Sequence, residues 1–64
     1  MTLKTDLNIA DPDTLYAALL AAHKGLSAEG SAALNAELIL LLMNHVGDAE
    51  VIRAALDLAR QGKV

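Results

Sequence analysis

An all-α domain of three short helices is what this chain predicts, on three observations. A capping side chain is followed two residues later by an acid three times, at Asp11 and Asp13, Ser27 and Glu29, and Asp48 and Glu50, the signature of a helix start. A glycine follows each run so opened, at Gly25, Gly47 and Gly62, where the chain must leave the helix. Between these marks the apolar residues recur at three- and four-residue spacing instead of alternating. The reading is a compact three-helix domain with helices over residues 12–24, 28–46 and 49–61, preceded by an arm over 1–10. Residues 11–64 form the single domain, expected to assemble as a helical-bundle homodimer.

The first helix opens at Asp11-Pro12-Asp13. Asp11 accepts free backbone N–H groups, Pro12 suits the first helical position, and Asp13 favours the positive helix end. Placed at 100° intervals, Leu15, Tyr16, Leu19, Leu20 and Ala22 share one side with His23 among them. The third helix opens at Asp48 and sets Val51, Ile52, Ala55, Leu56, Leu58 and Ala59 against Glu50, Arg53, Asp57, Arg60 and Gln61, an ordinary amphipathic pattern.

The second helix is different. It opens at Ser27 and holds six consecutive apolar residues, Leu38 to Met43. Leu34, Leu38, Leu41 and Leu42 form one face, Ala32, Ile39, Met43 and Val46 another, and only Glu37 and Asn44 mark a clear wet strip. A lone three-helix domain covers a stripe on each helix but not most of a circumference, and apolar surface left wet costs roughly 25 cal/mol per Å². Leu38, Ile39, Leu42, Met43 and Val46 are therefore expected to bury against a second copy or a partner protein. Asn35 lies in the same apolar arc. Across a dimer seam its amide can pair with its copy and select one alignment; alternatively it is reached by solvent or by the loop after Gly25. The rival to association is a monomer whose arm folds Leu3, Leu7 and Ile9 over the surplus.

Composition narrows the class. The chain has 64 residues, 55% of them hydrophobic and 20% charged, which makes one packed and soluble unit. A domain this small buries only about 60% of its unfolded surface, so a disulfide, a metal, an oligomer or very good helix packing is needed. With no cysteine, disulfides and thiolate metal sites drop out, and a reducing cytoplasm is the expected location. Thr2, Lys4, Thr5, Asp6 and Asn8 break up the arm, so no signal-peptide core is expected. Asn35, Glu37, Asn44 and His45 interrupt the second helix, well short of the roughly 20 apolar residues of a membrane span. The net charge of -3 and the scattered Lys4, Lys24, Arg53, Arg60 and Lys63 argue against nucleic acid and anionic membrane partners.

Candidate chemistry centres on two histidines. His23 and His45 each stand two residues before a glycine that ends a helix, the place of a capping residue that bonds free carbonyls and favours the negative helix end. The capping set is thus Asp11, His23, Gly25, Ser27, His45, Gly47 and Asp48. A metal or acid–base pair of His23 and His45 with Glu37 or Asp48 is the sharper alternative. Neither histidine has a second ligand at helical spacing within its own helix. Tyr16, the sole aromatic residue, reads as core with its hydroxyl at the edge. No nucleophile with an adjacent base, no phosphate-binding glycine loop and no inward carboxylate pair is present. No catalytic, cofactor-binding or metal-ligating residue is therefore assigned, and the chain is read as no enzyme.

Asp11-Pro12-Asp13, Tyr16 to Leu19, Ala22 to Ser27, Leu34-Asn35-Ala36 and the run Leu40 to Asp48 together resemble a family of short, all-helical bacterial proteins of unknown function. The resemblance spans almost the whole chain. It implies an accessory role beside enzymes of aromatic-compound breakdown, flavin-dependent hydroxylases among them, near which such proteins are often encoded. It supplies no catalytic residue.

The expectation is a noncatalytic interaction or accessory protein, either a homodimer or a module docked on a partner enzyme through the second helix. A small ligand- or metal-binding protein using His23, His45 and Tyr16 at an interface is the first alternative. The second is a helix-turn-helix regulator built on the tight turn at Val46 to Ala49, which the acidic Glu50 and Asp57 disfavour.

Overall fold

Asp11 turns its carboxylate back over the first turn that follows it. Its Oδ1 accepts from the Thr14 N–H at 3.2 Å and its Oδ2 from the Thr14 hydroxyl at 2.7 Å, which answers one of the free donors of a helix start. In the computed structural model, which describes residues 2–62, this cap begins α1 (Pro12–His23). Ser27 does the same for α2 (Ala28–Val46), its Oγ accepting from the Gly30 N–H at 3.1 Å. Asp48 caps α3 (Ala49–Gln61) through one carboxylate oxygen, which accepts from the N–H groups of Glu50 at 3.0 Å and Val51 at 3.3 Å. The chain is all-helical with three helices and, among the described residues, no strand. Met1, at the head of the expected arm, and Lys63 and Val64, at the end of the expected domain, lie outside the described residues.

The bounds of α2 and α3 coincide with those expected, and α1 ends at His23, one residue before Lys24. Lys24 has already turned to an extended conformation, φ -60° and ψ 129°, while its N–H still donates to the Ala21 carbonyl. The left-handed step follows at Gly25, φ +80°. At the end of α2, Gly47 takes φ +68° and donates its N–H to the Met43 carbonyl at 2.9 Å. A residue with a Cβ resists that conformation.

The expected compact packing is not what a single chain forms. The helices do not pack along one another, and the radius of gyration is 13.1 Å where about 10.7 Å is usual for this length. The accessible surface is 5602 Å², against about 3,900 Å² for a compact monomer of this mass. Among the described residues none is buried, and thirteen large apolar side chains stand exposed. The physical reason is the second helix. Its apolar residues surround most of the axis, and two short neighbours joined by tight turns do not enclose it.

Candidate functional site

An apolar groove of about 240 Å³ runs between the C-terminal half of α2 and the first turns of α3. Gly47 and Asp48 form the tight turn that brings these two segments together. Ile39, Leu42, Met43 and Val46 contribute from α2, Val51, Ile52, Ala55 and Leu56 from α3, and Leu3 of the arm borders it. Four of the six residues expected at an interface thus line one concavity. Leu38 is partly covered and Asn35 is exposed, and both lie outside the lining. No residue of α1 lines the groove.

The arm brings Leu3 to the groove but leaves Leu7 77% exposed and Ile9 45% exposed, so it does not cover the apolar surplus. On the far side of α2, Leu40 and Leu41 are more than half exposed. The Leu15, Tyr16, Leu19 and Leu20 face of α1 is uncovered as well, with Tyr16 61% exposed.

One polar contact joins α1 to α2. The His23 ring lies between two oxygens, with Nδ1 2.8 Å from the Leu19 carbonyl one turn back and Nε2 2.8 Å from the Asn35 carboxamide Oδ1. Both oxygens accept, so the imidazolium, with an N–H on each nitrogen, satisfies the pair in full. Those two hydrogen bonds, the Leu19 one first, raise the His23 pKa above its ordinary 6.5, against a smaller lowering by desolvation. Asp11 moves the other way, its carboxyl held below its ordinary value by the Thr14 hydroxyl and then the Thr14 N–H.

The two histidines, alike in sequence, differ in setting. His23 bonds back to its own helix and across to Asn35, whereas the His45 side chain makes no hydrogen bond among the described residues. No three His, Cys, Asp or Glu side chains among the described residues gather in a way that could hold a metal ion. Among the same residues, no helix is long and apolar enough to cross a membrane.

Sequence reasoning missed the His23–Asn35 pair, whose members stand twelve residues apart and follow no single-helix period. It also did not join the apolar face of α3 to that of α2 as two walls of one groove. The signal for that was present in the two-residue turn between Val46 and Ala49, too short to let the two faces part.

A family model described as "Protein of unknown function (DUF2783)" matches residues 3–61. No curated protein and no solved structure matches the chain.

Proposed function

Because the chain belongs to the DUF2783 family of proteins of unknown function, its role is sought in its own surfaces, and we propose that it is a noncatalytic helical interaction module that completes its core by association. The observation that carries this is the absence of any buried residue among those described, beside thirteen exposed large apolar side chains. A monomer rarely leaves so many large apolar side chains wet.

The assembly is a homodimer seated on the groove of α2 and α3, with Ile39, Leu42, Met43 and Val46 supplying contact area and Leu38 and Asn35 flanking it. Its accessory role is to stabilise or regulate an enzyme in the cytoplasm. Family resemblance points to the aromatic-catabolic enzymes as the class to test, flavin-dependent hydroxylases first. A small-ligand role has less support, because the groove is open, smaller than the usual several hundred Å³, and lined by apolar side chains without a polar group to orient a ligand.

Native mass spectrometry of the purified protein tests the reading. A mass of twice 6.7 kDa, reduced to a single chain by Ile39→Glu, is the expected result. A single-chain mass at every concentration, unchanged by that substitution, overturns self-association.

A further inference from the structure

Two apolar surfaces of this chain stand uncovered at once, the Leu15, Tyr16, Leu19 and Leu20 face of α1 and the groove of α2 and α3. They match in length. Leu15 to Leu20 spans about 8 Å of helix axis and Val51 to Leu56 the same, at 1.5 Å per residue. They also match in chemistry, both being apolar.

They do not meet in one chain. The connection from Lys24 to Ser27 is four residues long, and the His23–Asn35 bond ties the end of α1 to a point on α2 that precedes the groove. Asn35 sits on the same stripe as Ile39, Leu42 and Val46 at helical spacing. The apolar face of α1, which carries His23, and the groove face of α2 therefore touch at this polar pin. Beyond it α1 does not pack along α2 and enters no part of the groove.

We propose that the groove of each chain is filled by α1 of a second copy, in a reciprocal exchange that seats the partner's Leu15, Tyr16, Leu19 and Leu20 between α2 and α3. This inference rests on the self-association proposed above and names its occupant. The reciprocal arrangement is isologous and closes after two copies, so one contact type covers both surfaces of both chains. A foreign helix in the groove would leave the α1 face wet. Each chain exposes about 1,700 Å² more than a compact monomer of its mass, about twice the roughly 800 Å² per partner that a standard interface takes. In the single chain the His23–Asn35 bond meets α2 ahead of the groove, and no α1 side chain lines it.

The chain has no cysteine, which makes thiol cross-linking clean. Leu19→Cys in one isotope-labelled chain and Ile52→Cys in an unlabelled chain are mixed, allowed to exchange, and treated with a short bis-maleimide. The exchanged dimer yields a cross-linked mass of one labelled and one unlabelled chain joined between positions 19 and 52. The chain carrying both substitutions then gives a covalent dimer on a denaturing gel. A product linked within a single chain overturns the exchange, because α1 then closes on its own groove. A dimer by native mass with no link between these positions overturns the exchange and leaves self-association through another face. A single-chain native mass overturns both. Tyr16→Cys with Ala55→Cys repeats the test should the first pair lose its circular-dichroism helix signal.

Discussion

α1 and the α2–α3 pair show two degrees of completion in the same chain. In α2 and α3, Leu38, Met43, Val51, Ile52, Ala55 and Leu58 are partly covered, and Met43, Val51, Ile52 and Ala55 meet in the groove beside the Gly47–Asp48 turn. In α1 the one partly covered residue is polar, His23, while all four of its large apolar side chains are exposed. α3 keeps its apolar residues on one side, so a single neighbour nearly suffices. α1 carries an equivalent apolar face whose hydrogen bond to another helix is the one from His23 to Asn35. Helix formation is thus local in this protein, set by caps, whereas the proposed association would complete the core.

The strongest way to break this comparison is a charge in the groove. Ile39→Glu sets a carboxylate where the account places a covered apolar side chain, and the loss is expected to exceed about 4 kcal/mol per chain, seen as dissociation and loss of helix signal at micromolar concentration. Leu19→Ala tests the other side. Exposed in the single chain, it would cost well under 1 kcal/mol as a solvated residue, but covered by a partner it costs about 2–3 kcal/mol, measurable by urea unfolding.

Gly47→Ala probes the turn that builds the groove. At φ +68° a Cβ is strained by about 1–2 kcal/mol, although the nearest atom it would meet, the Asn44 carbonyl oxygen, is at an unstrained 3.8 Å. The cost is expected in stability with the dimer mass retained.

A smaller effect sharpens the role of the α1–α2 pin. Folding raises the His23 pKa above 6.5, so the stability it adds is fully present below that value and is lost as pH rises through the raised one. The melting temperature is therefore expected to fall as pH rises above the ordinary 6.5, and Asn35→Leu should flatten that slope. An equal slope in the variant would show that the proton is not held by this contact. Leu7→Ala is the least consequential change, within about 0.5 kcal/mol, because the side chain is exposed and outside the groove.

The helices were legible because their ends are written in single residues. Asp11 with Pro12, Ser27 and Asp48 each start a helix through a side-chain oxygen, and Gly47 stops one through its left-handed backbone. The end of α1 was less sharp because Lys24 leaves the helix ahead of Gly25, and nothing in a lysine announces that. The α2 wall of the groove was legible in part, from the 100° projection that groups Ile39, Met43 and Val46 but sets Leu42 on another face, whereas the groove takes all four. The His23–Asn35 contact was not, since it depends on how two helices cross, and periodicity within one helix carries no such information. Openness was illegible for a related reason: length and apolar content predict that surface will be buried, but not how much of it one chain buries.

Thermal unfolding followed by circular dichroism over a hundredfold range of protein concentration tests the central claim most directly. If the core is completed by association, the melting temperature rises steadily with concentration, since the partner acts as a ligand of the folded chain. A melting temperature independent of concentration, with a single-chain mass throughout, would contradict it.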